Sequence, residues 1–163
     1  VFQGDPVKLT DAGVIQLATS DGTRAGTTDG ISMLGIFAGV QYSDSTGRPS
    51  LSPFWPASTA GTDIIAWVYD DPETIFDVQY DNPAAGTTVQ TAVGEQCDWV
   101  TTAPGGATAV GLSATKLTAI QATQAQFQIT GIAGGVDNAL TDAFVTVTVR
   151  MNEAQYKAPV ASV

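Results

Sequence analysis

The sequence repeatedly alternates apolar and polar residues with a period of two, and this pattern constrains the fold more than any other feature. The clearest runs are Ile75–Asp81, Gln126–Thr130 and Phe144–Met151. Because neighbouring side chains of a strand point to opposite faces, each run predicts a strand with one buried side and one solvent-facing side. Further strands are predicted at Val14–Thr19, Ile31–Tyr42, Thr62–Tyr69, Thr87–Val93 and Leu112–Leu117.

Turn-forming residues separate these runs at short intervals. Examples are Ser20-Asp21-Gly22 and Pro104-Gly105-Gly106, in which Gly supplies positive φ and Asp or Ser caps the turn. No segment sustains a helical period together with capping residues. The sequence therefore predicts an all-β protein, a small β-barrel or sandwich with long ordered loops and room for two β subdomains.

A change in composition at residues 43–61 suggests how the chain is divided. This segment combines Pro, Ser and Gly with Phe54 and Trp55, whose side chains need burial, so it predicts a long ordered loop. We predict a first barrel-like domain at residues 1–81 that contains this loop and is completed by residues 143–163. Residues 82–142 are predicted to form a second β unit.

The charge balance argues against nucleic acid and membranes as partners. The chain has 16 acidic and 6 basic residues, a net charge of -10, and the basic residues are scattered. Phosphate-rich surfaces are bound by clustered Lys and Arg, and no apolar run has the length of a membrane span. Charged residues make up only 13% of the chain. Such a neutral polar surface can enter a protein contact with little charge desolvation, although it equally suits a soluble domain.

The residue inventory also removes most catalytic chemistry. Histidine is absent, which excludes Ser-His-Asp and Cys-His arrangements and zinc sites built from Cys and His. Cys97, the single cysteine, lies near Glu95 and Asp98, so we expect a buried apolar group with a raised pKa. The glycine pairs lack the spacing of phosphate-binding loops. We therefore predict no enzyme activity and no cofactor, and we assign no catalytic, cofactor-binding or metal-binding residues.

Two chemical alternatives remain open. The acidic cluster of Asp70, Asp71, Asp77 and Asp81 could serve a glycoside hydrolase or a calcium site, but Asp-Asp-Pro-Glu fits a capped β-turn better. The aromatic residues could form a sugar-stacking platform, but such residues more often fill a core or an interface. These aromatic residues are Tyr42, Trp55, Trp67, Tyr69, Tyr80 and Trp99.

Several short motifs resemble those of head decoration, or cement, proteins of tailed bacteriophages. The resemblance begins with the Gly-Asp-Pro-Val phrase inside Phe2–Thr10 and the Gly-x-x-x-Gly-Val phrase at Gly35–Val40. It continues in Gln41–Gly47, Trp55–Thr59, Ala66–Pro72 and Ala92–Gln96. The similarity thus extends over residues 2–96.

The resemblance implies a structural protein on the outer surface of the virion. Such proteins bridge capsomers of an icosahedral capsid, so the expected partner is the major capsid protein, together with further copies of the chain in a dimer or trimer. The resemblance also implies extended terminal arms, for which a segment upstream of Val1 is the candidate in this chain. A carbohydrate-binding or host-attachment β module is the alternative.

The decoration hypothesis needs a contact region, and the Pro/Ser-rich loop offers one. Phe54, Trp55 and Pro56 form an apolar knuckle in a polar segment, which suits an interface anchor. Val1 and Phe2 are added as candidates at the start of the chain. The alternative for the knuckle is that it closes one end of a barrel.

Overall fold

A computed structural model describes residues 1–18, 33–56, 59–81, 89–121 and 125–155, and it confirms the predicted all-β class. The first five strands are β1 (Pro6–Leu9), β2 (Ile15–Leu17), β3 (Gly35–Ser43), β4 (Pro49–Ser52) and β5 (Thr62–Tyr69). The next five are β6 (Ile75–Asp81), β7 (Gln96–Ala107), β8 (Leu112–Gln121), β9 (Phe127–Ile132) and β10 (Phe144–Met151). A short 3-10 helix occupies Val89–Ala92, where the sequence pattern had predicted a strand.

Strands β1 to β5 form one sheet that is organised around β3. Strand β5 pairs antiparallel with nearly the whole length of β3, from Ile36 to Ser43. The opposite edge of β3 is shared, because β1 pairs with its first two residues and β4 with Val40 to Ser43. On one face of this sheet, Val7, Phe37 and Val40 form a small buried core.

Strands β6 to β10 form a closed barrel in the order β10-β6-β8-β7-β9. Its interior follows directly from the period-two pattern, since Val145, Val147, Val149 and Met151 of β10 are all buried. Trp99 adds the largest side chain of this core and packs edge-on against another core ring at 5.9 Å. The β6–β8 contact is parallel and the other pairings are antiparallel.

Residues 70–74 form the turn between β5 and β6 and connect the last strand of the first sheet to the first strand of the barrel. Strand β6 therefore belongs to the barrel, whereas residues 75–81 were predicted to be part of the first domain, residues 1–81. Strand β10 likewise pairs with β6 and β9 and closes the barrel, instead of completing the first sheet. The physical reason is that apolar side chains of β6 and β10 lie opposite one another across the paired strands. The sequence pattern of each strand does not show which other strand it pairs with.

Short chain segments join the sheet to the barrel. The backbone of Gln3 pairs with that of Leu112 in β8, and Met33 pairs with Ala154. Ile36 of β3 belongs to the core cluster of the barrel, although its strand lies in the first sheet. These contacts attach the start of β3 and the segments beside it to the barrel.

Candidate functional site

The residues predicted as an interface lie together in the structure. Phe2 and Phe54 form an antiparallel bridge, and their rings stack with centroids 5.6 Å apart at an interplanar angle of 16°. The backbone N–H of Trp55 donates to the carbonyl oxygen of Val1 at 2.9 Å. Pro56 follows directly, and all five residues are half-buried. The start of the chain and the Pro/Ser-rich loop therefore form one surface, whose role in binding stays a prediction.

Trp55 also has a structural role in the packing of the β1–β5 sheet. Its ring lies 5.1 Å from that of Tyr42 in an edge-to-face arrangement. Both side chains pack against the small core around Phe37. Aromatic pairs of this geometry contribute to packing beyond the area that they bury. This cluster therefore has a packing function whether or not a partner also contacts it.

The aromatic residues considered as a sugar platform separate into three environments. Trp99 and Tyr80 are buried in the barrel core, and Tyr42 and Trp55 pack in the first unit. Only Trp67 and Tyr69 expose large fractions of their side chains, 54% each. They lie two residues apart on β5, so they share the same face. The tertiary structure thus reduces six candidates to one exposed pair.

The outer face of β5 is apolar along most of its exposed length. Ile65 alternates with Trp67 and Tyr69, is 54% exposed, and lies opposite Gln41 of β3. Across the sheet, Leu51 of β4 pairs with the same Gln41 and is 77% exposed. Strands that are apolar on both faces are normally covered on both. We name the set Leu51, Ile65, Trp67 and Tyr69 the apolar face.

A groove of about 300 Å³ crosses this apolar face. Its floor is Ala38 and Gly39, and its walls are Trp67 on one side and the Leu51–Pro53 segment on the other. A β-bulge at this point of β3 and a φ of +151° at Gly39 shape the floor. A Cβ atom on Gly39 would lie 3.2 Å from the carbonyl oxygen of Ser52, so a side chain there would crowd the groove.

Acidic residues flank the apolar face at both ends of β5. Asp63 lies at the start of the strand, where its carboxylate accepts a hydrogen bond from the Ser43 hydroxyl at 3.2 Å. Asp70 and Asp71 follow the last residue of the strand, and all three side chains are exposed. The nearby Glu73 pairs with Arg150 at 3.6 Å. The two ends of the strand therefore carry an excess of acidic groups.

Two of the carboxylates considered for a hydrolase or calcium site, those of Asp71 and Asp77, have ordinary structural partners. Asp71 Oδ1 accepts a hydrogen bond from the backbone N–H of Glu73 at 2.9 Å, as a capped turn requires. Asp77 Oδ1 accepts one from the Thr148 hydroxyl at 3.1 Å across the β6–β10 pair. Within the described parts of the chain, no three His, Cys, Asp or Glu side chains are grouped closely enough to hold a metal ion.

The prediction for Cys97 is confirmed. The side chain is fully buried in the barrel core, and burial, reinforced by the neighbouring Asp98, raises the pKa of the thiol to about 12. A nucleophilic cysteine needs a lowered pKa and solvent access. Cys97 is therefore a packing residue of the barrel.

A second depression, of about 280 Å³, opens where β6 and β8 diverge next to the N-terminal segment. Its inner wall consists of core side chains, including Ile36, Phe76 and Leu117, and its rim carries Asp77 and Gln79. Since the wall is formed by residues that already pack in the barrel, the depression is a junction between the two sheets.

In the portion of the chain described here, no helix is long and apolar enough to cross a membrane.

Comparison with known proteins leaves the chain without an assigned family. No protein-family model, curated protein or solved structure matches it. The apolar face was not predicted from the sequence, although a signal was present: Ile64–Tyr69 is an unbroken apolar run that lacks the polar alternation of a half-exposed strand.

Proposed function

We propose that this protein is a virion structural protein that decorates the outer surface of an icosahedral phage capsid and stabilises the shell by bridging capsomers. The observation that carries the proposal is the apolar face, whose four large side chains are 54–77% exposed. Exposed apolar patches with a polar rim mark protein contact surfaces. The partner in this proposal is the major capsid protein, and self-association into a dimer or trimer belongs to the same proposal.

The low charge density supports an assembly role. Charged residues make up 13% of the chain and the net charge is -10. Wide contacts built from Thr, Ser and Gln need little charge desolvation, and many weak contacts on a repeating lattice add up to strong binding. An acidic protein also suits the outside of a DNA-filled shell, because it would be repelled by the packaged phosphates.

The motifs behind the resemblance have structural roles that agree with their sequence. Gly35 lies where a Cβ atom would be 2.1 Å from the carbonyl oxygen of Tyr69, so β3 and β5 approach too closely there for any side chain. Asp5 of the Gly-Asp-Pro-Val phrase is buried and anchors the N-terminal segment. Gly35 and Asp5 thus have packing and anchoring roles within the chain, which supports the proposal of a structural protein.

The proposal is tested with capsids that lack decoration protein. Purified expanded heads are mixed with the chain and imaged by cryo-electron microscopy, and their disruption temperature is measured with and without it. We expect density at regular positions outside the shell and a higher disruption temperature. An unrelated acidic protein of similar size is the control. Bare lattices and an unchanged disruption temperature would rule the proposal out.

A carbohydrate-binding or host-attachment module is the second candidate, and one observation favours it. Trp67 and Tyr69 are both 54% exposed on the same face of β5, as a ring-stacking platform requires. A glycan array probed with the wild type and with Trp67→Ala tests this function. Binding that depends on Trp67 would support it, and the absence of any glycan signal would remove it.

A further inference from the structure

We propose that the groove of the apolar face receives a large apolar side chain from an extended segment of another protein, and that Lys or Arg residues flank this side chain on both sides. The inference rests on the proposed function, under which that segment belongs to a shell subunit. It adds the chemistry of the bound segment and the residues that recognise it.

The groove has the size and lining of a pocket for a single anchor residue. Its volume of about 300 Å³ lies between Trp67 and Leu51–Pro53 above a floor of small residues, and it is open to solvent. Interface energy concentrates in a few large side chains that fill pockets near the centre of a contact. Tryptophan, the residue type at position 67, is enriched at such positions. A Leu, Met or Phe side chain of the partner would fill the groove and cover Trp67.

The acidic residues at the two ends of β5 determine the charges of the partner. Asp63 lies four residues before Trp67, at the start of β5, and Asp71 lies four residues after it, in the turn that follows the strand. The β3–β4 hairpin beside Asp63 carries one acid and one base, Asp44 and Arg48, and so adds no net charge. An extended segment of about nine residues with its anchor in the middle would place a basic residue near each acidic end.

A second copy of this chain is a poor occupant of the groove. Each copy carries a net charge of -10, and two apolar faces packed together would bring the acidic ends of β5 close to one another. Like charges at an interface cost affinity and suppress the wrong pairing. The partner must instead supply the positive charges that this chain lacks on its apolar face.

A sugar ring also fits the groove less well than an apolar side chain. A carbohydrate site combines aromatic rings with polar groups that bond to the hydroxyls. Here the wall opposite Trp67 is formed by Leu51, Ser52 and Pro53, and the Ser52 hydroxyl already donates a hydrogen bond to the carbonyl oxygen of Phe54. The lining therefore favours a hydrocarbon side chain, and carbohydrate binding becomes an alternative outcome of the test.

The probe is a synthetic nine-residue peptide with Leu at its centre, Lys at both ends, and Thr and Ser between them. Amide and indole N–H signals of the isotope-labelled protein are followed by NMR during titration. We expect shifts of the Trp67 indole and of the β4 and β5 amides. A peptide with a central Ala, and one with Glu in place of Lys, should bind at least about tenfold more weakly.

Matched variants locate the contact on the protein. Trp67→Ala should weaken peptide binding about tenfold or more, whereas Phe144→Ala, which removes a 63% exposed ring on the barrel, should not change it. The double variant Asp63→Asn/Asp71→Asn should weaken binding at low salt, and Asp11→Asn/Asp137→Asn serves as its charge control. Asn at position 63 tolerates the positive φ of 51° found there.

The outcomes separate this inference from the proposed function. Heads that bind the wild type and Trp67→Ala equally well would retain the decoration role and overturn the groove assignment. Peptide binding that is insensitive to Trp67 or to the Lys residues would overturn it as well. A glycan signal that Trp67→Ala abolishes, without peptide binding, would assign the groove to carbohydrate. Lack of binding to heads, with specific peptide binding retained, would reject the decoration role alone.

Discussion

Asp5 and Ser113 lie 108 residues apart in the sequence, and the Ser113 hydroxyl donates a hydrogen bond to the Asp5 carboxylate. The other carboxylate oxygen accepts the backbone N–H of Phe2 at 2.7 Å. Around this pair, Gln3 exchanges backbone hydrogen bonds with Gly111 and Ser113 at 3.0 and 2.9 Å. The buried carboxylate thus attaches the N-terminal segment to β8 and connects the sheet to the barrel.

Replacement of this carboxylate should destabilise the protein. Asp5 is 2% exposed, and Asp5→Ala would break the link to Ser113 and leave the Phe2 N–H without its side-chain acceptor. Since hydrogen bonds to a buried charged group are among the stronger ones, we expect a loss of about 2–3 kcal/mol in the free energy of unfolding. Urea denaturation measures it. Asp11→Ala, at an exposed turn position, is the control, and equal effects of the two variants would contradict the role given to Asp5.

Substitution of Gly35 should be costly for a steric reason. An added Cβ would lie 2.1 Å from the carbonyl oxygen of Tyr69, a backbone atom that cannot move without shifting β5. We expect Gly35→Ala to reduce the free energy of unfolding by about 2–3 kcal/mol. At Gly134 no atom lies within 4 Å of such a Cβ, so Gly134→Ala should be neutral within about 1 kcal/mol. Similar thermal unfolding of the two variants would show that the close β3–β5 approach is wrong.

Truncation of two tryptophans should reduce stability by very different amounts. Trp99 is 1% exposed in the barrel core, and Trp99→Ala should cost about 3–5 kcal/mol because it leaves a large cavity. Trp67 is 54% exposed, and Trp67→Ala should cost less than about 1 kcal/mol. Chemical denaturation, followed by circular dichroism, compares the variants. A large loss for Trp67→Ala would mean that the apolar face stabilises the free protein.

The ion pair at the β6–β8 contact should make stability depend on pH. Partial burial alone would raise the pKa of Asp81, but hydrogen bonds from Lys116 and Gln79 and the charge of Lys116 lower the pKa below 3.8. A lowered folded-state pKa means that the ionised carboxylate favours folding. This contribution is present above the unfolded-state pKa and is lost as the pH falls through the folded-state value.

Lys116→Met tests this linkage. Without the lysine, the pKa of Asp81 should lie nearer its ordinary value, so the variant should lose less stability between pH 7 and pH 3 than the wild type does. Urea unfolding at both pH values gives the difference. Lys8→Met, on β1, controls for the loss of a positive charge. Parallel pH profiles of wild type and Lys116→Met would show that the pair does not contribute.

Much of the secondary structure could be predicted because strand periodicity is a local property. The alternation in Phe144–Met151 assigns the buried positions of β10 correctly, from Val145 to Met151. Strand β4 was missed because it lies within the Pro- and Ser-rich segment, and β7 because its Gly- and Pro-containing end breaks the pattern. The 3-10 helix at Val89–Ala92 has β-favouring residues, and its conformation is decided by packing of Val89 and Ala92 into the core.

The sequence by itself determined the all-β class, the positions of most strands, the burial of Cys97 and the excess of acidic charge, because each depends on residue type and local spacing. Only the tertiary structure decided which strands close the barrel, which aromatic rings remain exposed, and that Val1 and Phe2 meet Phe54 and Trp55. Strand order and exposure depend on pairing between distant segments. A local pattern shows that a strand has an apolar face, but not which neighbour covers that face or whether any does.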